Sequence, residues 1–136
     1  MSIDAEADSL MRRAQIKARE MRNRVDRGEI DHMIPDAYNV MFMAAKAALM
    51  KRGFEVSSHR TVVSTYRREF IDRRLISQEF EGYLNKIQKY WEAEGTPQAE
   101  AVDHARADRI VEAAIKLVDA LADTMRVRTD EPYRIQ

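Results

Sequence analysis

The stretch that most constrains the fold is Pro35 to Arg52, PDAYNVMFMAAKAALMKR. Proline is tolerated in a first helical turn, and Gly53 follows directly where a helix would close on a left-handed residue. Tyr38, Met41, Phe42, Ala45 and Leu49 make one stripe at helical spacing. Val40, Met43, Ala44, Ala47 and Ala48 fill much of the remaining circumference. A helix that is apolar on nearly every side must be covered on nearly every side. It therefore reads as the central helix of an all-α bundle, its alanines letting neighbours approach closely. A chain of 136 residues is one domain by size and long enough to bury a core.

The rest of the chain supplies the cover. From about Asp4 to Asp26, Leu10, Ala14, Ala18, Met21 and Val25 recur at helical spacing. Gly28 and Pro35 bracket a loop. After a connection over Gly53 to Ser57, Ser57 or Ser58 can cap a third helix reaching about Arg73, with Val62, Tyr66 and Phe70 inward. Its Val-Val-Ser-Thr-Tyr run also has strand propensity. A fourth helix is expected from Ser77 to Ala93, with Phe80, Leu84, Ile87 and Trp91 on one side. Thr96 as cap and Pro97 in the first turn open a fifth, which keeps its period to about Met125. The segment RVRTDEPYRIQ shows no period and reads as a tail over 126–136 beyond a single domain at 1–125. The expected fold is an antiparallel bundle of about five helices. The aromatic residues Tyr38, Phe42, Tyr66, Phe70, Phe80 and Trp91 are expected in its core, and the eight methionines in the core and at interfaces.

Acids and bases balance at 23 each, but not evenly. The first helix and the segment from Lys51 to Arg74 are rich in arginine, whereas Glu92 to Asp123 is acidic. Two arrangements fit: helix faces that complement one another, or a positive groove for a phosphate backbone. The absence of cysteine excludes disulfides, cysteine-ligated zinc and thiol catalysis, and fits a cytoplasmic protein. The polar start MSIDAEADSL is no signal peptide, and the apolar run Val40 to Leu49 is too short to span a bilayer. No glycine-rich phosphate loop, His-Glu-x-x-His or Gly-x-Ser-x-Gly motif occurs. His32, His59 and His104 are widely spaced, so neither a metal site nor a cofactor is expected.

What remains is arginine with histidine. Arg52 closes the central helix and His59 opens the third, and the short loop between them suggests that both side chains converge on one site. Arginine binds a phosphate and stabilises its developing charge. Histidine transfers protons near neutral pH. RNA carries its own nucleophile, the ribose 2′-hydroxyl, so internal transfer needs no metal. The alternative for His59 is a capping or packing role. Arg27 and His32 satisfy a similar loose spacing from the preceding loop, and His104 reads as exposed or locally paired.

The run from Tyr38-Asn39 through Phe42, Leu49 and Arg52-Gly53, followed by Glu55 and Ser58-His59-Arg60, resembles the HEPN superfamily, in particular its small UPF0332-type members. The resemblance is clearest from about Ala37 to Phe70. It implies a bundle of four to five helices, a homodimer, and, in active members, a metal-independent endoribonuclease whose motif is Arg, four to six residues, then His. Arg52 and His59 fit with six residues between them. By that resemblance Arg52 would hold the scissile phosphate and His59 would transfer protons, with Lys51, Arg60 and Tyr38 as RNA or phosphate contacts. The protein would then act on RNA, as the toxin beside a nucleotidyltransferase-type antitoxin. Active members usually carry Asn, Asp or His after the motif arginine. Gly53 in that place favours the alternative, a non-catalytic dimer that binds a nucleotide or a nucleotidyltransferase-like partner.

Overall fold

The computed structural model describes residues 2–92 and 102–135. Helix α1 (Ile3–Asp26) is capped by Ser2, whose hydroxyl oxygen accepts from the Ala5 N–H at 3.0 Å. Asp4 and Glu6 lie in its first turn, the right charge for that end of the helix dipole. Ala7, Met11, Ala14, Ala18, Met21 and Val25 face inward, a spacing of three and four that keeps one side buried. Helix α2 (Met33–Lys51) begins two residues before Pro35, after His32 in the left-handed region at φ 60°.

Both helices end in the same device. Gly28 at φ 83° and Gly53 at φ 92° take the left-handed position after the last turn. Glu29 N–H then donates to the Arg24 carbonyl (2.8 Å), and Phe54 N–H to that of Leu49 (3.0 Å). These are Schellman closures, in which a glycine is favoured because it has no Cβ to strain.

Helix α3 (His59–Tyr66) is shorter than its sequence pattern suggests. Ser58 caps it by accepting from the Thr61 N–H at 3.1 Å, and burial of Val62, Val63 and Tyr66 overrides the strand propensity of the run. The chain then widens into a π-helical turn, Arg67–Asp72, that buries Glu69, Phe70 and Ile71 together. Glu69 keeps its charge there between Arg68 (3.0 Å) and Arg73 (2.8 Å); hydrogen bonds from Arg68 and then Arg73 hold its carboxyl below the usual range.

The expected fourth helix is split. A 3₁₀ turn, Gln78–Phe80, precedes α4 (Tyr83–Glu92). The buried Tyr66 hydroxyl donates to the Phe80 carbonyl at 2.8 Å, and burial pushes that phenol well above its ordinary pKa. Thr96 and Pro97 lie outside the described residues. Helix α5 (His104–Ile135) continues past Met125 through most of the segment expected as a tail.

Helix α2 packs against α1, α3, α4 and α5, and α1 packs also on α5. Ala37, Ala44, Ala45, Ala47 and Ala48 are all buried where these neighbours meet. The fold is the all-α bundle that the sequence implies. No helix among the described residues is long and apolar enough to cross a membrane.

Candidate functional site

His59 is the first residue of α3, just inside its Ser58 cap. The cap orients that first turn, and the imidazole lies against two rings of α2. Its centroid is 5.1 Å from that of Tyr38, at 21° between planes, and 4.5 Å from that of Phe42, at 34°. Tyr38 and Phe42 are four residues apart, one turn of helix, and their own centroids stand 5.8 Å apart. The Tyr38 hydroxyl and His59 Nδ1 are hydrogen-bonded. Tyr38 is fully buried, His59 and Phe42 partly so. The arrangement fixes the ring plane through stacking and the ring rotation through the Nδ1 bond.

Arg52 is the residue that closes α2. Its guanidinium carbon stands 5.7 Å from the centre of the Phe70 ring, in the π-helical turn. Arg68 stands 5.8 Å from the Phe54 ring close by in sequence. His59 meets α2 at Tyr38 and Phe42, in the turns before Arg52. Residues 54–57 have no regular structure, and the six residues between Arg52 and His59 can span up to about 20 Å. The connection thus returns along α2 before α3 begins. The fold gives each of the two motif side chains an aromatic seat. It brings Tyr38 and Phe42 to His59, and Phe70 to Arg52.

The other expected contacts divide as well. Lys51, nearly buried, turns its ammonium onto Asp8 of α1 at 3.1 Å, a bond that ties α2 to α1. Tyr38 serves His59 from inside the core rather than presenting a hydroxyl at the surface. Arg60 is exposed beside His59. His104 bonds through Nε2 to the Val25 carbonyl at 3.0 Å, so it stitches the start of α5 to the end of α1. No group of three or more metal-ligating side chains occurs among the described residues.

Two contributors were not legible in sequence as site residues. Phe42 looks like any other member of the α2 stripe, and Phe70 like any core aromatic. Phe42 also lines a cleft of about 730 Å³ between α1 and α2, with Lys17, Met21, Asn23, Arg24, Arg27, Asp36, Asn39, Val40 and Met43 among its walls.

A bundle folded around one small-residue helix, with a histidine held on that helix by aromatic rings and an arginine at its end, defines a class of small all-α proteins. The family model for the HEPN domain matches residues 7–124, and the chain belongs to that family. HEPN domains commonly dimerise. No curated protein matches the chain.

Proposed function

We propose that the protein acts on RNA as a metal-independent endoribonuclease, with His59 transferring the proton and Arg52 holding phosphate. The observation that carries this reading is the seat of His59. That seat fixes both the plane and the rotation of the imidazole, which a proton-transfer group requires. In the reaction, Nδ1–H donates to the Tyr38 oxygen and the Nε2 lone pair takes the ribose 2′-hydroxyl proton. The freed oxygen attacks the adjacent phosphorus and expels the 5′-oxygen of the next nucleotide, which takes a proton from water and departs as the alcohol, leaving a 2′,3′-cyclic phosphate. Arg52 holds the scissile phosphate and stabilises the charge that develops on it. Gly53 does not speak against this chemistry. The position needs a left-handed backbone, and Asn, Asp and His are the non-glycine residues that best tolerate one. The cellular setting that fits is the cytoplasmic toxin of a toxin–antitoxin pair with a nucleotidyltransferase-type antitoxin.

The second reading is a non-catalytic dimer that binds a nucleotide or a nucleotidyltransferase-like partner. RNA cleavage in the presence of a chelator separates the two. The ribonuclease reading expects cutting with cyclic phosphate ends, lost in folded His59→Ala and Arg52→Ala proteins. Cutting that survives in both variants, or none in the parent, leaves the second reading.

A further inference from the structure

We propose that the cleft between α1 and α2 is a nucleobase site, holding the base next to the phosphate at His59, with Phe42 as its stacking platform and Asn39 at its edge. The inference rests on the RNA reading above. Phe42 is the link, since the same partly buried ring packs against His59 at 4.5 Å and lines the cleft. A base stacked there is adjacent to whatever His59 acts on.

The walls argue for a base rather than a phosphate. The cations Lys17, Arg24 and Arg27 are offset by acids in place. Arg24 is bonded to Asp36 at 2.6 Å and Arg27 to Glu29 at 2.9 Å, and Glu20 is part of the lining. The cleft is thus close to neutral and has no unbalanced charge to attract a phosphate. Its floor is apolar, with Met21, Val40 and Met43. Its neutral polar groups are the amides of Asn23 and Asn39, both on exposed residues. An aromatic face, an apolar floor and amides that both donate and accept match a flat heterocycle with a hydrogen-bonding edge. About 730 Å³ is also within the range of sites for small organic groups. Asn39 lies three residues before Phe42, so the two side chains stand one turn apart on the same side of α2.

The test uses a fluorescein-labelled 2′-O-methyl RNA 12-mer of mixed sequence, which cannot be cleaved because the nucleophile is blocked, read by fluorescence anisotropy. Phe42→Ala should weaken binding about five- to a hundredfold, the range for loss of one base stack, while Phe42→Trp keeps it. Asn39→Ala, at an exposed position that does not threaten folding, should change the ranking of the four 2′-O-methyl homopolymers. Sedimentation is run alongside. Unchanged affinity in Phe42→Ala with unchanged homopolymer ranking in Asn39→Ala overturns the site. So does a loss of affinity that tracks a loss of dimer, which would assign the cleft to a second copy of the chain. A parent that binds the 12-mer through Phe42 yet cuts no unmodified RNA keeps the base site and removes the cleavage chemistry. A parent that cuts without dependence on Phe42 does the reverse, and one that binds no RNA overturns both.

Discussion

Two corners of the molecule use the same pair of residue types differently. Where α1 meets α5, Arg22 binds Asp26 at 2.9 Å and Glu112 at 3.2 Å and also bonds Asp108, and His104 donates to a backbone carbonyl. Hydrogen bonding to Asp108 raises the Arg22 pKa, and the same bond holds the Asp108 carboxyl below its usual range. Along α2, by contrast, Arg52 lies against Phe70 and His59 against Tyr38 and Phe42. A carboxylate neutralises a cation's charge, whereas a ring face attracts and orients the cation. The first corner is where the basic first helix and the acidic last helix complement one another. Of the two arrangements the charge pattern allowed, this face has the complementary one.

The strongest way to break the comparison is to delete each histidine and arginine in turn. His59→Ala and Arg52→Ala should each reduce RNA cleavage at least about a hundredfold, the scale of a lost proton-transfer group or charge clamp. Arg22→Ala should leave cleavage within about twofold of the parent. Equal losses from both corners would show that the variants report folding, not chemistry. A smaller effect is expected of Tyr38→Phe, which removes the bond to Nδ1 but keeps the ring. The turnover number should fall about tenfold with KM unchanged. In a His59→Ala background the same change should do nothing more, since Tyr38 acts through the imidazole. An equal loss in both backgrounds would make Tyr38 a core residue only.

Gly53 offers a finer test of why the arginine is followed by that residue. At φ 92°, with no atom within 4 Å of a built Cβ, the obstacle to a side chain is backbone strain rather than space. Gly53→Ala should destabilise the fold by about 1–2 kcal/mol and Gly53→Asn by clearly less, measured by urea unfolding. Equal costs would remove the backbone account of that position.

The central helix was legible because a segment apolar all round has only one place to go, and α2 indeed meets every other helix. The end of α2 was legible in Gly53, whereas Gly28 signalled a loop without its Schellman closure. The division of the third helix was not, because a π turn depends on what packs beneath Glu69, Phe70 and Ile71 rather than on the local pattern. The pairing of His59 with Tyr38 crosses 21 residues and depends on a loop that turns back along α2. Counting the residues of that loop bounds the distance between Arg52 and His59 without giving its direction. Phe42 carries no signal beyond its stripe, and its second role appears only when α3 and the α1–α2 cleft are seen to share it.

The smallest effect concerns the charged corner alone. The folded pKa of Asp108 lies below its unfolded value of about 3.9, because the carboxylate is bonded to Arg22. A depressed acid stabilises the fold above the unfolded pKa and loses that contribution as pH falls through the folded one. Arg22 remains charged throughout, so the sign is set by Asp108. Both side chains are solvent-accessible, so the contribution is small and screened by salt. Asp108→Asn should therefore melt about 1–2 °C below the parent at pH 7 and low salt, with the gap closing near pH 2 and in 1 M sodium chloride. A gap that persists under both conditions would mean that Asp108 contributes by packing or backbone geometry. The α1–α5 corner would then resemble the α2 corner in resting on fit, and charge would no longer distinguish the two.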